Sequence, residues 1–452
     1  MTADIAVVGS GIVGAATALR LGRAGHRVTW VTGRDQRTAS AASGAMLAVY
    51  SEVSAHQDSG TVEVEVATRR EGLDRWRPWL EELAVATTPG IHVVARTAVD
   101  LAGLEAIRSA ASKHGGEVED VDASAVPGLR PDAGFEPVRA VHLPDEASLD
   151  SGALLEAMRT AIARLANVEL VAEDSVTVDA AGVHTSASGL VACAQVVLAT
   201  GAHTNELLAR SGLVGLLPPL LGGRGVSVLV QAPEPVPGCV RTPNRAFACG
   251  LHAVPRADGL TYLGATNRLT TTPEPTLGPQ LSELDDLIGG CVRELDRRLR
   301  RAEVVSMSVG HRPVTPDRLP LVGRTAEPWL LVATGTWRNG VVLAPLLADL
   351  VADEVAEPGA IGTHAFSATR ELTPAPLDAT TIERAAQGLA MSVLGDGGLA
   401  PGRASDLQAF FAHALAREIE EPDRTVARLL QRAPMEEALP LLFDLLARRS
   451  TA

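Results

Sequence analysis

Aromatic side chains make up only 3% of the 452 residues, too few for the stacking platforms that single-stranded nucleic acid requires. Positive charge is also short. Asp and Glu number 54 against 40 Lys and Arg, a net charge of −14, and no basic cluster interrupts the surplus. Nucleic acid and anionic membranes are therefore not expected as partners. Lysine itself is almost missing: Lys113 stands alone among the arginines, a bias of coding composition. The four cysteines, Cys193, Cys239, Cys249 and Cys291, have no metal-ligand spacing and are too few for a disulfide scaffold, which fits a reducing cytoplasm. No Gly-x-Ser-x-Gly, Cys-x-x-Cys or His-Glu-x-x-His occurs, so hydrolase and metal chemistry have no support. The apolar stretches are too short or too broken by glycine to span a bilayer. A strand-like run starts at once, leaving no signal peptide to expect, and the cytoplasm is the expected compartment.

What is present begins at that run. Ile5-Ala6-Val7-Val8 is short and apolar, hence a buried parallel strand, and residues 12–24 then repeat their apolar positions at helical spacing. Between them lies Gly9-x-Gly11-x-x-Gly14. Gly9 permits the tight turn, Gly11 lets a diphosphate approach the backbone, and Gly14 lets helix and strand pack closely. The helix start offers N–H groups and a positive dipole end to phosphates. A second strand, Val28-Thr29-Trp30-Val31, should end at an acidic residue for the ribose hydroxyls. This chain has Thr32, Gly33 and Arg34 there instead. Arg34 opens a rival reading, since a basic residue can accept the 2′-phosphate of NADP. Residues 38–47 are small and hydroxyl-rich, then abruptly apolar, suited to close approach of a ligand.

With these motifs in hand, the chain resembles the D-amino-acid oxidase superfamily and, within it, the glycine oxidases. The likeness covers residues 4–366 and rests on the order of five places: the Gly9/Gly11/Gly14 loop, residues 38–47, the Val196-Val197-Leu198-Ala199-Thr200-Gly201 run, residues 310–323 and residues 335–345. It implies non-covalent FAD, a small-molecule amine or amino-acid substrate, and O2 reduced to peroxide. The implied flavin contacts fall on Ile12, Val13, Thr32, Gly33, Thr38, Ala39, Ser43, Gly44, Ala45 and Met46, with Val176 at the adenine and Gly201 nearby. Thr336, Trp337, Asn339, Gly340, Val341 and Val342 would lie beneath the isoalloxazine ring. Residues 341–351 read as an apolar helix whose N-terminal N–H groups suit negative charge at a reduced flavin. Some relatives attach flavin through a cysteine whose place here is Gly310, and the sarcosine-oxidase branch uses a lysine where this chain has Val342; both departures point away from monomeric sarcosine oxidase and toward the glycine oxidase or D-amino-acid oxidase branches.

The resemblance also marks a substrate end. Arg312, in the extended Val309-Gly310-His311-Arg312-Pro313 run, matches the arginine that clamps the substrate carboxylate, a task suited to a planar two-pronged guanidinium. Arg338 matches a second arginine at the pocket rim. His252 stands where a tyrosine hydrogen-bonds the carboxylate; an imidazole can still donate, or can admit a bulkier or N-substituted substrate. His311 should point away from Arg312, because side chains alternate along a strand, and reads as structural. No catalytic acid–base residue is expected, since the flavin performs the chemistry.

The expected fold is α/β (α+β overall): a Rossmann-type FAD-binding domain of the GR2 kind, interleaved with an antiparallel-sheet substrate domain and followed by a small all-α module. The expected boundaries are 1–50, 145–215 and 306–366 for FAD, 51–144 and 216–305 for substrate, and 367–452 for the helical extension. Helices are expected at 69–83 and 149–165, and strands at 91–95, 226–230, 247–254 and 260–265. In the tail, helices are expected at 380–394, 406–419 (capped by Ser405), 424–431 and 436–448. Residues 378–450 would serve self-association, docking on the main body or a pathway partner. The expected reaction is oxidation of the C–N bond of glycine or an N-substituted glycine by hydride transfer to flavin N5. Alternatives are a D-amino acid, a specialised secondary-metabolism amine with cleavage of a carboxymethyl-amine, and a nucleotide-binding regulatory or scaffold protein without turnover.

Overall fold

The structure is a computed structural model and describes residues 4–34, 38–55, 59–186, 189–244, 248–270, 273, 278–372 and 404–420, with isolated positions between 382 and 390. Two large sheets organise it. The first has six strands in the order Leu321–Arg324, Leu330–Thr334, Gln195–Leu198, Asp4–Val8, Arg27–Thr32, Val168–Ala172. All neighbours are parallel except the outermost pair, 321–324 with 330–334. Helices Ile12–Arg23 and Gly340–Ala356 pack against one another on this sheet. Their facing residues, Ala15, Ala18, Leu19, Leu343, Leu347 and Val351, belong to one buried cluster with Ile5, Val7 and Val28. Full burial of a Leu or Val contributes about 1.5–3 kcal/mol, so this cluster, rather than helix propensity, sets the two helices in place. A small antiparallel sheet, Val176–Asp179, Gly182–Thr185 and Gly189–Ala192, packs on the opposite face, its Val176, Val178 and Val183 clustering with Ala6, Val8, Val196 and Leu198.

The second large sheet has ten strands and is antiparallel except where Cys239–Arg241 meets Thr87–Ala95. At one end of it Leu221–Gln231 forms a long ribbon with the edge strand Glu303–Val314, paired from Leu221↔Val314 to Gln231↔Glu303. Residues 306–314 thus belong to this sheet, although the expected boundary assigned them to the flavin side. Met46–Leu47 also joins it, through Ala147 and Ser148. The chain crosses between the sheets at both of its ligand-lining loops, 38–47 and 310–340, which is why the two sheets share one cavity. The helix expected at 69–83 runs from Ser59 to Leu83, and the one expected at 149–165 occupies Ser151–Ala163, capped by Asp150. The Asp150 side chain accepts from the Gly152 and Ala153 N–H groups.

Beyond residue 372 the described structure contains the helix Ala404–Glu420. Ser405 lies inside that helix and is not its cap. The helices expected at 424–431 and 436–448, and most of 380–394, fall outside the described residues. Among the described residues, no helix is long and apolar enough to cross a membrane, and no group of three or more His, Cys, Asp or Glu is placed to hold a metal ion.

Candidate active site

One cavity of about 500 Å³ runs from the glycine loop to Arg312. At its first end the backbone does the work. Gly9 has φ +143°, and a Cβ there would stand 2.2 Å from the Ala199 carbonyl oxygen; a Cβ on Gly14 would stand 2.2 Å from the Gly9 oxygen. Gly14 therefore packs helix onto strand and does not reach the cavity, whereas Gly9, Gly11, Ile12 and Val13 line it. The Trp30 indole N–H donates to the Gly9 carbonyl at 2.9 Å, fixing the turn from behind. The Ile12 N–H donates to the Ser40 hydroxyl at 2.9 Å, so the hydroxyl-rich loop caps the helix start that Gly11, lacking a side chain, cannot. The Ser10 hydroxyl accepts from the Gly33 N–H at 2.7 Å, joining the glycine loop to the end of the second strand.

Thr32, Gly33, Thr38, Ala39, Ser43, Gly44, Ala45, Met46, Val176 and Gly201 line the same cavity. Arg34 is exposed, does not line it, and has its N–H tied to the Asp174 carboxylate at 2.6 Å. The side chain that motivated an NADP reading is thus turned to solvent. Gly310 leaves no room for a flavin-linking cysteine: a Cβ there would lie 2.8 Å from Ala39 Cα.

Thr336, Trp337, Asn339, Gly340, Val341 and Val342 form the cavity wall at the start of helix Gly340–Ala356. That helix has no acidic residue in its first turn and no side-chain cap at Asn339, so its positive end faces the cavity undiluted. The Trp337 N–H donates to the Pro313 carbonyl at 2.8 Å, which places this loop directly beside Arg312. Arg312 Nη1 meets three oxygens at 3.3–3.4 Å: Thr266 O, Gly223 O and Asn267 Oδ1. Gly225 makes room for it, since a Cβ at 225 would lie 2.5 Å from both terminal guanidinium nitrogens.

Three residues are placed differently from expectation. Arg338 is not at the rim. Its side chain is 8% exposed, stacks 4.1 Å over the Trp337 ring and pairs with Glu52 at 3.4 Å. Glu52 also receives Arg241 Nη1 at 2.5 Å. Desolvation pushes the Glu52 carboxyl up, but the Arg241 and Arg338 guanidiniums outweigh it and bring its pKa down to about 2. His252 is buried, stacks on Tyr262 with ring centres 5.6 Å apart, and shares Nδ1 with the Gly250 carbonyl at 3.1 Å. Burial, with Arg241 nearby, lowers its pKa to about 3. The Gly250 carbonyl can only accept, which assigns the proton to Nδ1, and with burial disfavouring the charged ring this leaves Nε2 as an acceptor. His311, expected to be structural, also lines the cavity, on the side of His203 with ring centres 6.3 Å apart. Burial lowers its pKa to about 4.

Sequence reasoning missed Glu52, Glu173, Asp174 and Tyr262, all of which line the cavity. None carries a spacing signal. Tyr262 donates its hydroxyl to the Ala42 carbonyl at 2.9 Å, bracing the small-residue loop from the second sheet.

The family model described as "FAD dependent oxidoreductase" matches residues 4–354. The chain belongs to that family. The glycine oxidase of Geobacillus kaustophilus is 30% identical over 391 residues, 82% of this chain and 97% of that one. The "Bifunctional protein ThiO/ThiG" of a Nostoc species is 30% identical over 368 residues, 79% of this chain and 53% of that one; the chain spans about half the length of these bifunctional relatives. The crystal structure of glycine oxidase from Geobacillus kaustophilus superposes with a TM-score of 0.69 at 26% identity, covering 82% of this chain and all of that one. The family's FAD fits the residues present: a glycine loop whose backbone at Gly9 and Gly11 lines the cavity, hydroxyls at the helix start, and a second helix N-terminus at the far end.

Proposed function

We propose that this FAD dependent oxidoreductase oxidises the C–N bond of a small amino acid or secondary amine, with glycine or an N-substituted glycine as the substrate class. The observation that carries this reading is the Trp337–Pro313 hydrogen bond. It sets a buried-side arginine, Arg312, one residue from the loop at which the family's redox ring is bound. Arg312 takes the substrate carboxylate in two parallel charge-assisted hydrogen bonds, with its orientation held by Thr266, Gly223 and Asn267. The carboxylate then fixes the α-carbon, and positioning of this kind supplies much of the catalysis in such a site. FAD, held by the glycine loop and the start of helix Gly340–Ala356, would supply the acceptor for the α-carbon hydride, and O2 the acceptor for the two electrons and two protons that become H2O2. The start of helix Gly340–Ala356 stabilises negative charge at that end of the cavity. Water hydrolyses the released imine to the oxo acid and the amine.

His252 supports the N-substituted branch of this class. Its Nε2 accepts rather than donates, so it suits a substrate N–H and not a second bond to the carboxylate. Arg338 is held by Glu52 and by the face of Trp337, leaving Arg312 as the carboxylate partner. An anaerobic visible spectrum titrated with glycine, sarcosine, longer N-alkyl glycines and D-amino acids tests the reading. Bleaching of the flavin band by a glycine or N-alkyl glycine is the expected result. Bleaching by D-amino acids alone overturns the substrate class. No bleaching by any amine favours a binding protein without turnover.

A further inference from the structure

The position that holds the adenosine ribose in Rossmann-type sites is an acid at the end of the second strand. This chain has Thr32 there, and its hydroxyl can offer only one uncharged contact. The structure supplies an acid from elsewhere. Strand Val168–Ala172 runs parallel to Arg27–Thr32, with Ala172 level with Thr32. The next residue, Glu173, donates its N–H to the Thr32 carbonyl at 2.7 Å. Its side chain is 7% exposed, yet it lines the ligand cavity beside Thr32, Gly33 and Val176. One carboxylate oxygen, Oε1, accepts from the Ser186 hydroxyl at 3.0 Å and from the Asp174 N–H at 3.1 Å. These two donors fix the direction of the carboxylate.

We propose that Glu173 is the ribose-binding acid of this chain, moved from the second strand to its parallel neighbour, and that it takes the 2′-hydroxyl of the adenosine moiety of FAD. The same placement rejects a 2′-phosphate. Asp174 holds the Arg34 backbone beside it while the Arg34 side chain stays in solvent, so a phosphate would meet two carboxylates and no basic side chain from this loop. The inference rests on the family's FAD and not on the substrate class; its readout uses oxidised flavin alone, so an error about the amine leaves it standing.

The test is binding of dinucleotides to apoprotein, followed by quenching of flavin fluorescence, with FAD and with FAD lacking the adenosine 2′-hydroxyl. A hydrogen bond to a charged group corresponds to about a 10- to 100-fold change in Kd. The wild type should lose about that much on removal of the hydroxyl. Glu173→Ala should weaken FAD by a similar factor and bind both dinucleotides equally, and Glu173→Gln should fall between. ADP should displace FAD where adenosine 2′,5′-bisphosphate does not. A wild type indifferent to the missing hydroxyl overturns the proposal, and this arm needs no variant to fold. An undiminished hydroxyl effect in Glu173→Ala overturns it too, as does tight displacement by the bisphosphate. A wild type that binds neither dinucleotide overturns it together with the family's cofactor in this chain.

Discussion

The two ends of the cavity are built by different means. The glycine-loop end is made of backbone: a turn at Gly9, a close contact at Gly14, and N–H groups at a helix start, all within a few residues of sequence. The Arg312 end is made of side chains that arrive separately. Arg312 comes from one strand, Tyr262 from a second at whose end its Asn267 partner stands, His252 from a third, and Glu52 from a loop. The first end tolerates almost no change because a backbone atom cannot move aside. The second is open to substitution, since each side chain can be exchanged at a definite electrostatic cost.

That contrast can be broken most severely at Gly9. Gly9→Ala puts a methyl 2.2 Å from the Ala199 oxygen at a positive φ. The expected outcome is a loss of roughly 3 kcal/mol or more in stability, read as little soluble protein and a collapsed ratio of flavin to protein absorbance. A flavin-loaded Gly9→Ala protein would end the claim that this end is rigid.

Glu52→Ala is the matching cut at the other end. It leaves the buried Arg241 and Arg338 without their shared carboxylate. Breaking a buried pair costs about 3–5 kcal/mol, so Tm should fall by about 3–5 °C for a chain of this size while the flavin spectrum at low temperature is kept. An unchanged Tm would show that Arg338 finds compensation elsewhere.

Arg312→Ala should leave stability and flavin content near wild type and lower kcat/KM by about 10²- to 10³-fold, the scale of losing one partner of a buried charged contact. Arg312→Lys should recover part of it, since a lysine keeps the charge and loses the fork. Equal loss of flavin and activity would instead make Arg312 part of the scaffold.

The smallest effect expected is in pH dependence. His252 and His311 have folded-state pKa values of about 3 and about 4 against 6.5 unfolded. Below pH 6.5 the unfolded chain therefore binds protons that the fold refuses, and stability falls with pH, by at most ~1.4 kcal/mol per unit for each fully buried histidine. His311 is half-buried and contributes less. Glu52 acts in the same direction between pH 4.5 and about 2, where its folded carboxylate stays ionised after the unfolded one has protonated. Thermal melts of His252→Gln between pH 7 and 4 should show a flatter decline than wild type. Parallel curves would mean that His252 is protonated in the fold.

The glycine loop, the first strand and helix, the late helix at Gly340 and the extended run through Arg312 were legible in the sequence because each is a local pattern: apolar periodicity set against glycine. Other features were out of reach. That Arg338 turns inward to Glu52, 286 positions away in the chain, cannot be read from spacing, and neither can the stacking of His252 on Tyr262 or the tautomer that Gly250 imposes on it. Glu173 replaces an acid missing at Thr32 only because two strands distant in sequence lie side by side in register. Sequence by itself determined the dinucleotide cradle, whose demands on backbone conformation and on absent side chains are met within one turn of chain. Tertiary structure alone decided the charge state and direction of each group around the substrate, because those depend on desolvation and on partners that only folding brings within a few ångströms.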